Sequence, residues 1–274
     1  MKILLLNTTG HYHAGCQAVM SNIYSQLSGH DILPVQNAIG IKWRKEWNDV
    51  DWVICNGEGT LHHDTEREAT RGLLQLVREA QQRKLPTAII NALWQDISTD
   101  WTDVVHHLDY FSVRECSSRR HAKLTHGRIP DMYPDLSYTP RELTRNPSGI
   151  GVGQLFNGAL ELEGNRCNIF TQTWDELIQT IADSEFFVTG RHHEMYAACI
   201  ARTPFVVYEG NSWKNQALMK SADASIPVLK WDPRNPHTAE ELADLVAKSA
   251  DQYKILWDFL DNFPPQNLKN LLSL

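Results

Sequence analysis

"FFVTGRHHEMYAACIARTPFVVYE", residues 186–209, decides the fold class. Two short apolar runs, at 186–190 and 204–209, predict buried β-strands, and the segment between them predicts a helix. A strand, a helix and a second strand in this order typically place the two strands parallel in one sheet. The stretch therefore predicts an α/β fold, with Arg191 at the point where the first strand gives way to the helix.

The same alternation extends along the chain. The remaining predicted strands lie at 2–7, 51–56, 87–92, 110–114, 149–153 and 226–230. Apolar residues at helical spacing predict helices at 17–27, 65–82 and 238–262, and "TWDE" (173–176) and "TAEE" (238–241) are capping boxes that mark two helix starts. Parallel strands that alternate with helices predict Rossmann-like architecture.

Composition excludes several classes of partner and site. The chain has 274 residues and a net charge of −7, which argues against nucleic-acid binding and against a polybasic membrane anchor. Its five cysteines are scattered and form no CxxC pair, which is typical of reduced thiols rather than of disulfides or a zinc cluster. We therefore expect a cytoplasmic protein with no metal site and no transmembrane segment, although peripheral membrane contact is compatible with this composition.

The polar, turn-rich segment at 140–148 predicts a domain boundary. It divides the chain into an amino-terminal Rossmann-like unit, 1–147, and a shortened carboxy-terminal one, 148–236. The remaining helical segment, 237–274, is expected to pack back on the first unit. Two such units facing each other would leave a cleft at the carboxyl ends of their strands, where open α/β sheets bind ligands.

Glycine-bearing loops follow the first two strong strands. "NTTGHYHAGC" (7–16) brings Gly15 to a helix start, and "NGEG" (56–59) places Glu58 between Gly57 and Gly59. Such loops let backbone N–H groups approach a bound anion. A carboxylate at the position of Glu58 could accept a proton from a substrate hydroxyl. An ordinary βα loop explains the first pattern equally well, and Asp64 is predicted to be the N-cap of the helix at 65–82.

Cationic residues are concentrated after the later strands. Arg114 ends the strand at 110–114, where it could contact substrate or form a salt bridge with a neighbouring acid. Arg191 offers a planar fork for a carboxylate or phosphate, and the histidines beside it could donate a proton near neutral pH. The candidate site residues in this later part of the chain are Asp135, Arg191, His192, His193, Asn211 and Lys214.

The order of these elements resembles the polysaccharide pyruvyl transferase family over most of the chain. The resemblance is carried by "AGCQAV", "DWVICNGEGTLHHD", "FSVRECSS", "YPDLSY", "VTGRHHEMYAACIARTPFVV" and "GNSWK". It implies a two-domain fold similar to GT-B glycosyltransferases, and transfer of pyruvate from phosphoenolpyruvate to sugar hydroxyls as a ketal, without an organic or nucleotide cofactor. The implied acceptor is a sugar or lipid-linked oligosaccharide, as in bacterial surface or exopolysaccharide precursors.

The resemblance also implies roles for particular residues. Arg191 and Lys214 would form an anion clamp, assisted by Arg114, and His193 would be the general acid. The position of Glu58 at a strand end, and not the resemblance, makes it our preferred base; Asp135, which matches the acid of the family's Pro-Asp element, is the second choice. The sequence departs from the family pattern where Cys16 replaces an Asp, where His192 replaces an apolar residue, and where the chain between Gly153 and Trp174 is short.

Two other functions fit the same pattern. A GT-B-like glycosyltransferase would also need cations for the diphosphate of a nucleotide-activated sugar and a carboxylate base for its acceptor. A catalytically inactive relative that binds a glycan or a partner protein would explain the shortened second unit.

Overall fold

The computed structural model describes residues 1–36 and 39–272. The strands are β1 (Lys2–Leu6), β2 (Asp31–Val35), β3 (Trp52–Asn56), β4 (Thr87–Ala92), β5 (Tyr110–Val113), β6 (Asp131–Met132), β7 (Ile150–Val152), β8 (Asn165–Arg166), β9 (Phe186–Thr189), β10 (Phe205–Tyr208) and β11 (Val228–Leu229). The α-helices are α1 (Ala14–Gln26), α2 (Glu68–Gln82), α3 (Thr102–His106), α4 (Cys116–His126), α5 (Trp174–Ala182), α6 (His192–Ala201), α7 (Lys214–Ser221), α8 (Ala239–Lys248), α9 (Ala250–Asn262) and α10 (Leu268–Leu271).

The chain folds into two compact units whose boundaries differ from those predicted. The first unit comprises Met1–Thr9, Met20–Asp135 and the residues from Pro265 onward. The second comprises Gly10–Val19 and Leu136–Pro264. The main boundary therefore follows Asp135 rather than residue 147, and the predicted last segment, 237–274, is divided between the units. Its last two positions lie outside the described residues.

The first unit is built on a parallel sheet with strand order β2-β1-β3-β4-β5-β6. Its central strands are continuous apolar runs because helices cover both faces of such a sheet. Leu4 pairs with Val53 across β1 and β3, and Ile54 pairs with Ala88 across β3 and β4. All four of these residues are fully buried.

Helix α2 lies against this sheet through the predicted apolar stripe. Leu73, Leu76 and Val77 pack in one cluster with residues of β1 and β3. The prediction that Asp64 is the N-cap of this helix is wrong, because the helix begins at Glu68 and its N-cap residue is Arg67. The Asp64 carboxylate accepts hydrogen bonds from the Ser98 backbone and hydroxyl and from the Trp101 indole, which tie the loop after β4 to the loop after β3.

The second unit is built on another parallel sheet, with strand order β11-β10-β9-β7-β8. Alternate residues of β9 and β10 enter two different clusters. Phe187 and Phe205 pack with α5, α6 and α9, whereas Val188 and Val206 pack with α8. The unit therefore has helices on both faces of its sheet. Both predicted capping boxes are confirmed, at Thr173 of α5 and Thr238 of α8.

The shortening of the second unit lies between β7 and β8. Residues 153–164, which join these parallel neighbours, contain no helix. Strand β8 has only two residues, Asn165 and Arg166, and both are exposed. The Arg166 guanidinium turns back along the chain and donates hydrogen bonds to the Leu160 carbonyl at 2.9 Å and the Leu162 carbonyl at 2.8 Å.

The helices within the described ranges are all too short or too polar to cross a lipid bilayer.

Candidate functional site

The carboxyl ends of β9 and β10 carry the densest group of predicted site residues. Arg191 is the N-cap residue of α6, which follows β9, and Lys214 is the first residue of α7, which follows β10. Asn215, which sequence reasoning missed, joins the two strand ends: its buried amide donates to the carbonyls of Tyr208 at 3.0 Å and Gly190 at 3.5 Å. The predicted grouping of Arg191 and Lys214 at neighbouring strand ends therefore has a defined structural basis.

Arg191 is held by its backbone and by two aromatic rings. Its backbone N–H donates to the Thr189 hydroxyl at 2.8 Å, which fixes the turn into α6. Its guanidinium lies 5.4 Å from the ring centroid of Phe156 and 5.5 Å from that of Phe170, both of which are exposed. The Nε atom is buried and has no hydrogen-bond partner among the described residues. Two aromatic faces thus position a guanidinium that retains donors for a ligand.

Beneath Arg191 lies Glu194, a buried carboxylate that sequence reasoning also missed. It accepts hydrogen bonds from the Thr189 hydroxyl at 2.5 Å and from the Gln154 backbone at 3.0 Å. Burial raises the pKa of Glu194 to about 7, although these hydrogen bonds and the Arg191 charge oppose the shift. Because Thr189 also accepts from Arg191, the carboxylate supports the turn that presents the guanidinium. Every residue of α6 is buried, so periodicity offered no signal for this role.

Stability should depend on pH through Glu194. The folded protein holds this proton up to pH 7, whereas an ordinary glutamate releases it near 4.5. The stabilising contribution is therefore complete below pH 4.5 and lost as the pH rises to about 7, by an amount of the order of 3 kcal/mol. Urea denaturation should show the wild-type protein losing stability relative to Glu194→Gln over this interval. The exposed Glu185→Gln is the control, and an equal pH dependence in all three proteins would contradict the assignment.

Lys214 and Asn211 lie together in the loop and helix start that follow β10. The Lys214 ammonium donates to the Asn211 amide oxygen at 3.0 Å. The charge of Lys214 also acts on His13, as do the charges of Arg191 and His193. The structure therefore brings together three residues that the sequence predicted, and adds His13 to them.

The two adjacent histidines differ in their surroundings. The His193 ring lies 5.1 Å from the His13 ring, centroid to centroid. The His192 ring packs edge-on against Tyr196 at 5.0 Å, and the residue is buried, with 4 % of its surface exposed. Gly15 packs directly against His193, because a Cβ atom at residue 15 would overlap the His193 Cβ. The glycine in this loop thus permits close approach to a side chain, and its predicted contact with a ligand stays a prediction.

His13 and Cys16 complete the histidine group. Cys16 Sγ lies 3.4 Å from His13 Nε2, and the Cys16 backbone N–H donates to His13 Nδ1 at 3.3 Å. Burial, followed by the positive charges of His193, Arg191 and Lys214, lowers the pKa of His13 to about 3. His13 is therefore neutral at physiological pH.

Glu58 belongs to the first unit, in a polar cluster at the carboxyl ends of β1 and β3. Its buried carboxylate accepts from the Thr9 hydroxyl and from the Asn56 amide, the latter at 3.2 Å. Its φ of 28° is unusual for a residue with a side chain. The structure explains Gly57 by packing, since a Cβ there would lie 2.6 Å from the Ala92 Cβ, whereas a Cβ at Gly59 would meet open space. The role of Glu58 as a base stays a prediction.

Arg114 and Asp135 pair with each other inside the first unit. Arg114 Nη1 lies 2.5 Å from Asp135 Oδ2, and the two side chains are 1 % and 0 % exposed. This is the salt-bridge alternative for Arg114. The pairing gives each of these two buried charges a counter-charge, and the roles of Arg114 as a substrate contact and of Asp135 as a base stay predictions.

Comparison with known proteins shows the fold alone. No protein-family model matches the chain, and no curated protein matches it. The spinosyn rhamnosyltransferase SpnG, solved with thymidine diphosphate, superimposes with a TM-score of 0.55 at 10% identity over 100% of both chains. The spinosyn forosaminyltransferase SpnP gives 0.56 at 8% identity, covering 100% of this chain and 98% of its own. The fold is that of the GT-B glycosyltransferases.

A third similar structure has no assigned function. It is an uncharacterized protein from Klebsiella pneumoniae, with a TM-score of 0.54 at 13% identity, covering 84% of this chain and 93% of its own. The GT-B fold and the shortened second unit confirm the fold class that the sequence predicts.

Proposed function

We propose that the chain is a transferase that moves a group from a phosphate-bearing donor to a sugar hydroxyl. The observation that carries the proposal is the pair of cations, Arg191 and Lys214, at the carboxyl ends of neighbouring parallel strands. Ligands of open α/β sheets bind at such strand ends, and the amino terminus of α6 adds backbone N–H groups that favour an anion. Because the protein has a net charge of −7, the positive charge that an anionic donor needs must be supplied locally, as these two cations do.

A nucleotide-activated sugar is the donor that the comparisons favour. SpnG and SpnP are both named as sugar transferases, and SpnG was solved with thymidine diphosphate. In this chain the guanidinium of Arg191 would bind diphosphate oxygens in pairs, and the Lys214 ammonium would neutralise the remaining charge. Glycosyl transfer then breaks the bond between the sugar anomeric carbon and the diphosphate, which leaves as nucleoside diphosphate. The acceptor oxygen bonds to that carbon, and its proton passes to a carboxylate base.

Pyruvyl transfer from phosphoenolpyruvate is the second candidate, which the order of the sequence motifs favours. Phosphoenolpyruvate carries a carboxylate and a phosphate, which suit the same two cations. His193 would give a proton to the methylene carbon, an acceptor hydroxyl would bond to C2, phosphate would leave, and a second acceptor hydroxyl would then bond to C2 and close the ketal. A carboxylate base would take the protons of the acceptor hydroxyls.

One assay distinguishes these functions. The protein is incubated with sugar acceptors and either a panel of nucleotide sugars or phosphoenolpyruvate, and released nucleoside diphosphate and inorganic phosphate are measured. Acceptor-dependent diphosphate release supports glycosyl transfer, and acceptor-dependent phosphate release supports pyruvyl transfer. Binding of a glycan without either product would favour the inactive relative and contradict the proposal.

A further inference from the structure

We infer that His13, Cys16 and His193 form a binding site for a thiophilic divalent metal ion such as Zn²⁺. One ligand atom from each residue, two imidazole nitrogens and a sulfur, lies within 4.8 Å of the other two. Imidazole and thiolate are the ligands that Zn²⁺ prefers, and small adjustments of side-chain torsions would bring them to bonding distance. All three residues belong to the second unit.

The fold fixes both segments that supply these ligands. His13 immediately precedes α1 and Cys16 lies in its first turn, where the Ala14 backbone N–H donates to the Ile169 carbonyl at 2.9 Å. His193 lies in the first turn of α6, and Gly15 lets the loop approach its ring. No zinc-binding spacing is visible in the sequence, because His193 follows Cys16 by 177 residues.

The chemistry of the three groups suits metal binding. A metal binds the unprotonated imidazole, and His13 Nε2 lies only 3.4 Å from the Cys16 sulfur. The Cys16 thiol would bind as a thiolate and release its proton to solvent. Three protein ligands leave one tetrahedral position open, which is the arrangement of zinc sites that exchange ligands.

The surrounding charges favour an anion at that open position. Arg191 and Lys214 both act on His13 and oppose a dication, whereas the Cys16 thiolate offsets one of its two charges. The remaining positive field would draw a phosphate or carboxylate oxygen to the metal. Zn²⁺ and such an anion should therefore strengthen each other's binding.

Metal binding also bears on the proposed function, and this part of the inference rests on it. A ring nitrogen that binds a metal through its lone pair cannot also carry a proton, so it cannot donate one. If His193 is the acid of pyruvyl transfer, added Zn²⁺ should inhibit that reaction. The binding site itself requires no activity and is tested separately.

Cobalt(II) is the probe, because its absorption reports both thiolate ligation and tetrahedral geometry. The full chain, purified with a chelator and then desalted under reducing conditions, is titrated with Co²⁺. The expected result is one equivalent with a thiolate-to-cobalt charge-transfer band, which Zn²⁺ displaces. Cys16→Ser should abolish the band, whereas the control Cys116→Ser, at a partly exposed cysteine of the first unit, should retain it.

Competition with a chromophoric chelator then measures Zn²⁺ affinity. His13→Ala should weaken binding by at least about 100-fold, since loss of even an outer-shell partner costs about 10- to 100-fold. The matched control is His11→Ala, at an exposed histidine in the same loop. Far-ultraviolet circular dichroism establishes that each variant is folded. A wild-type protein without the charge-transfer band, or a band that survives in folded Cys16→Ser, would overturn the inference.

Discussion

Arg191→Ala is expected to lower kcat/KM for the phosphate-bearing donor by about 100- to 1,000-fold. Truncating a desolvated charge that binds an opposite charge costs about 2–5 kcal/mol, and each 1.36 kcal/mol is a factor of ten. The guanidinium lies near the exposed rings of Phe156 and Phe170, and its Nε has no hydrogen-bond partner among the described residues, so it retains donor capacity for a ligand. Steady-state kinetics with the donor identified by the release assay give the comparison.

Two further variants separate the shape of the fork from its charge. Arg191→Lys keeps the charge and loses the paired donors, so we expect an intermediate loss of about tenfold. Arg234→Ala removes an arginine of the same unit whose side chain is 89% exposed, and kcat/KM should not change. Full activity in folded Arg191→Ala would remove the observation that carries the proposed function.

Asp135→Asn should lower the free energy of unfolding by about 3–5 kcal/mol. The substitution leaves the guanidinium of Arg114 buried without its counter-charge, and breaking a buried pair from one side has a penalty of this size. Urea denaturation followed by circular dichroism measures the change. Replacing both partners, as Arg114→Met with Asp135→Leu, should recover part of the lost stability because no isolated charge then remains.

The exposed pair Arg141 and Asp175 is the control for this prediction. Its ions are 2.6 Å apart, but the Asp175 side chain is 78% exposed. Asp175→Asn should therefore change stability by less than about 1 kcal/mol. If Asp135→Asn instead left stability intact and abolished turnover, Asp135 would be the base that the sequence resemblance implies.

The central strands could be predicted from sequence because they are continuous apolar runs. The predicted strand at 87–92 coincides with β4. The predicted bounds of β1, β3 and β9 differ from the observed ones by one residue at one end, and those of β10 by one residue at each end. Helices on both faces force every residue of such a strand to be apolar or small. This is the condition under which local sequence carries the most information about structure.

Strands β2, β6 and β8 were missed, and all three lie at an edge of a sheet. Edge strands are only half covered, so their residues need not be apolar. β2 includes Pro34, which cannot donate to a neighbouring strand, and β6 and β8 have two residues each. These strands form because they pair with another strand that is distant in the sequence, and such pairing leaves no local sequence pattern.

The residues of the candidate site likewise fall into those that could be predicted from the sequence and those that could not. Arg191, His193 and Lys214 follow apolar strands, so their position could be predicted from strand order. Glu194 and Asn215 could not, because the first lies in a helix buried on all sides and the second acts through carbonyls of distant residues. Glu194 supports the turn that presents Arg191, and Asn215 joins the strand ends after which Arg191 and Lys214 lie.

Strand β8 has a consequence for the behaviour of the protein at high concentration. A parallel sheet with a long open edge can recruit the edge of another molecule and begin aggregation. Here the edge ends after two residues, and the guanidinium of Arg166 occupies two carbonyl groups of the segment that precedes the strand. The strand therefore offers only a very short edge to a neighbouring molecule, which limits the backbone pairing from which a sheet could grow between molecules.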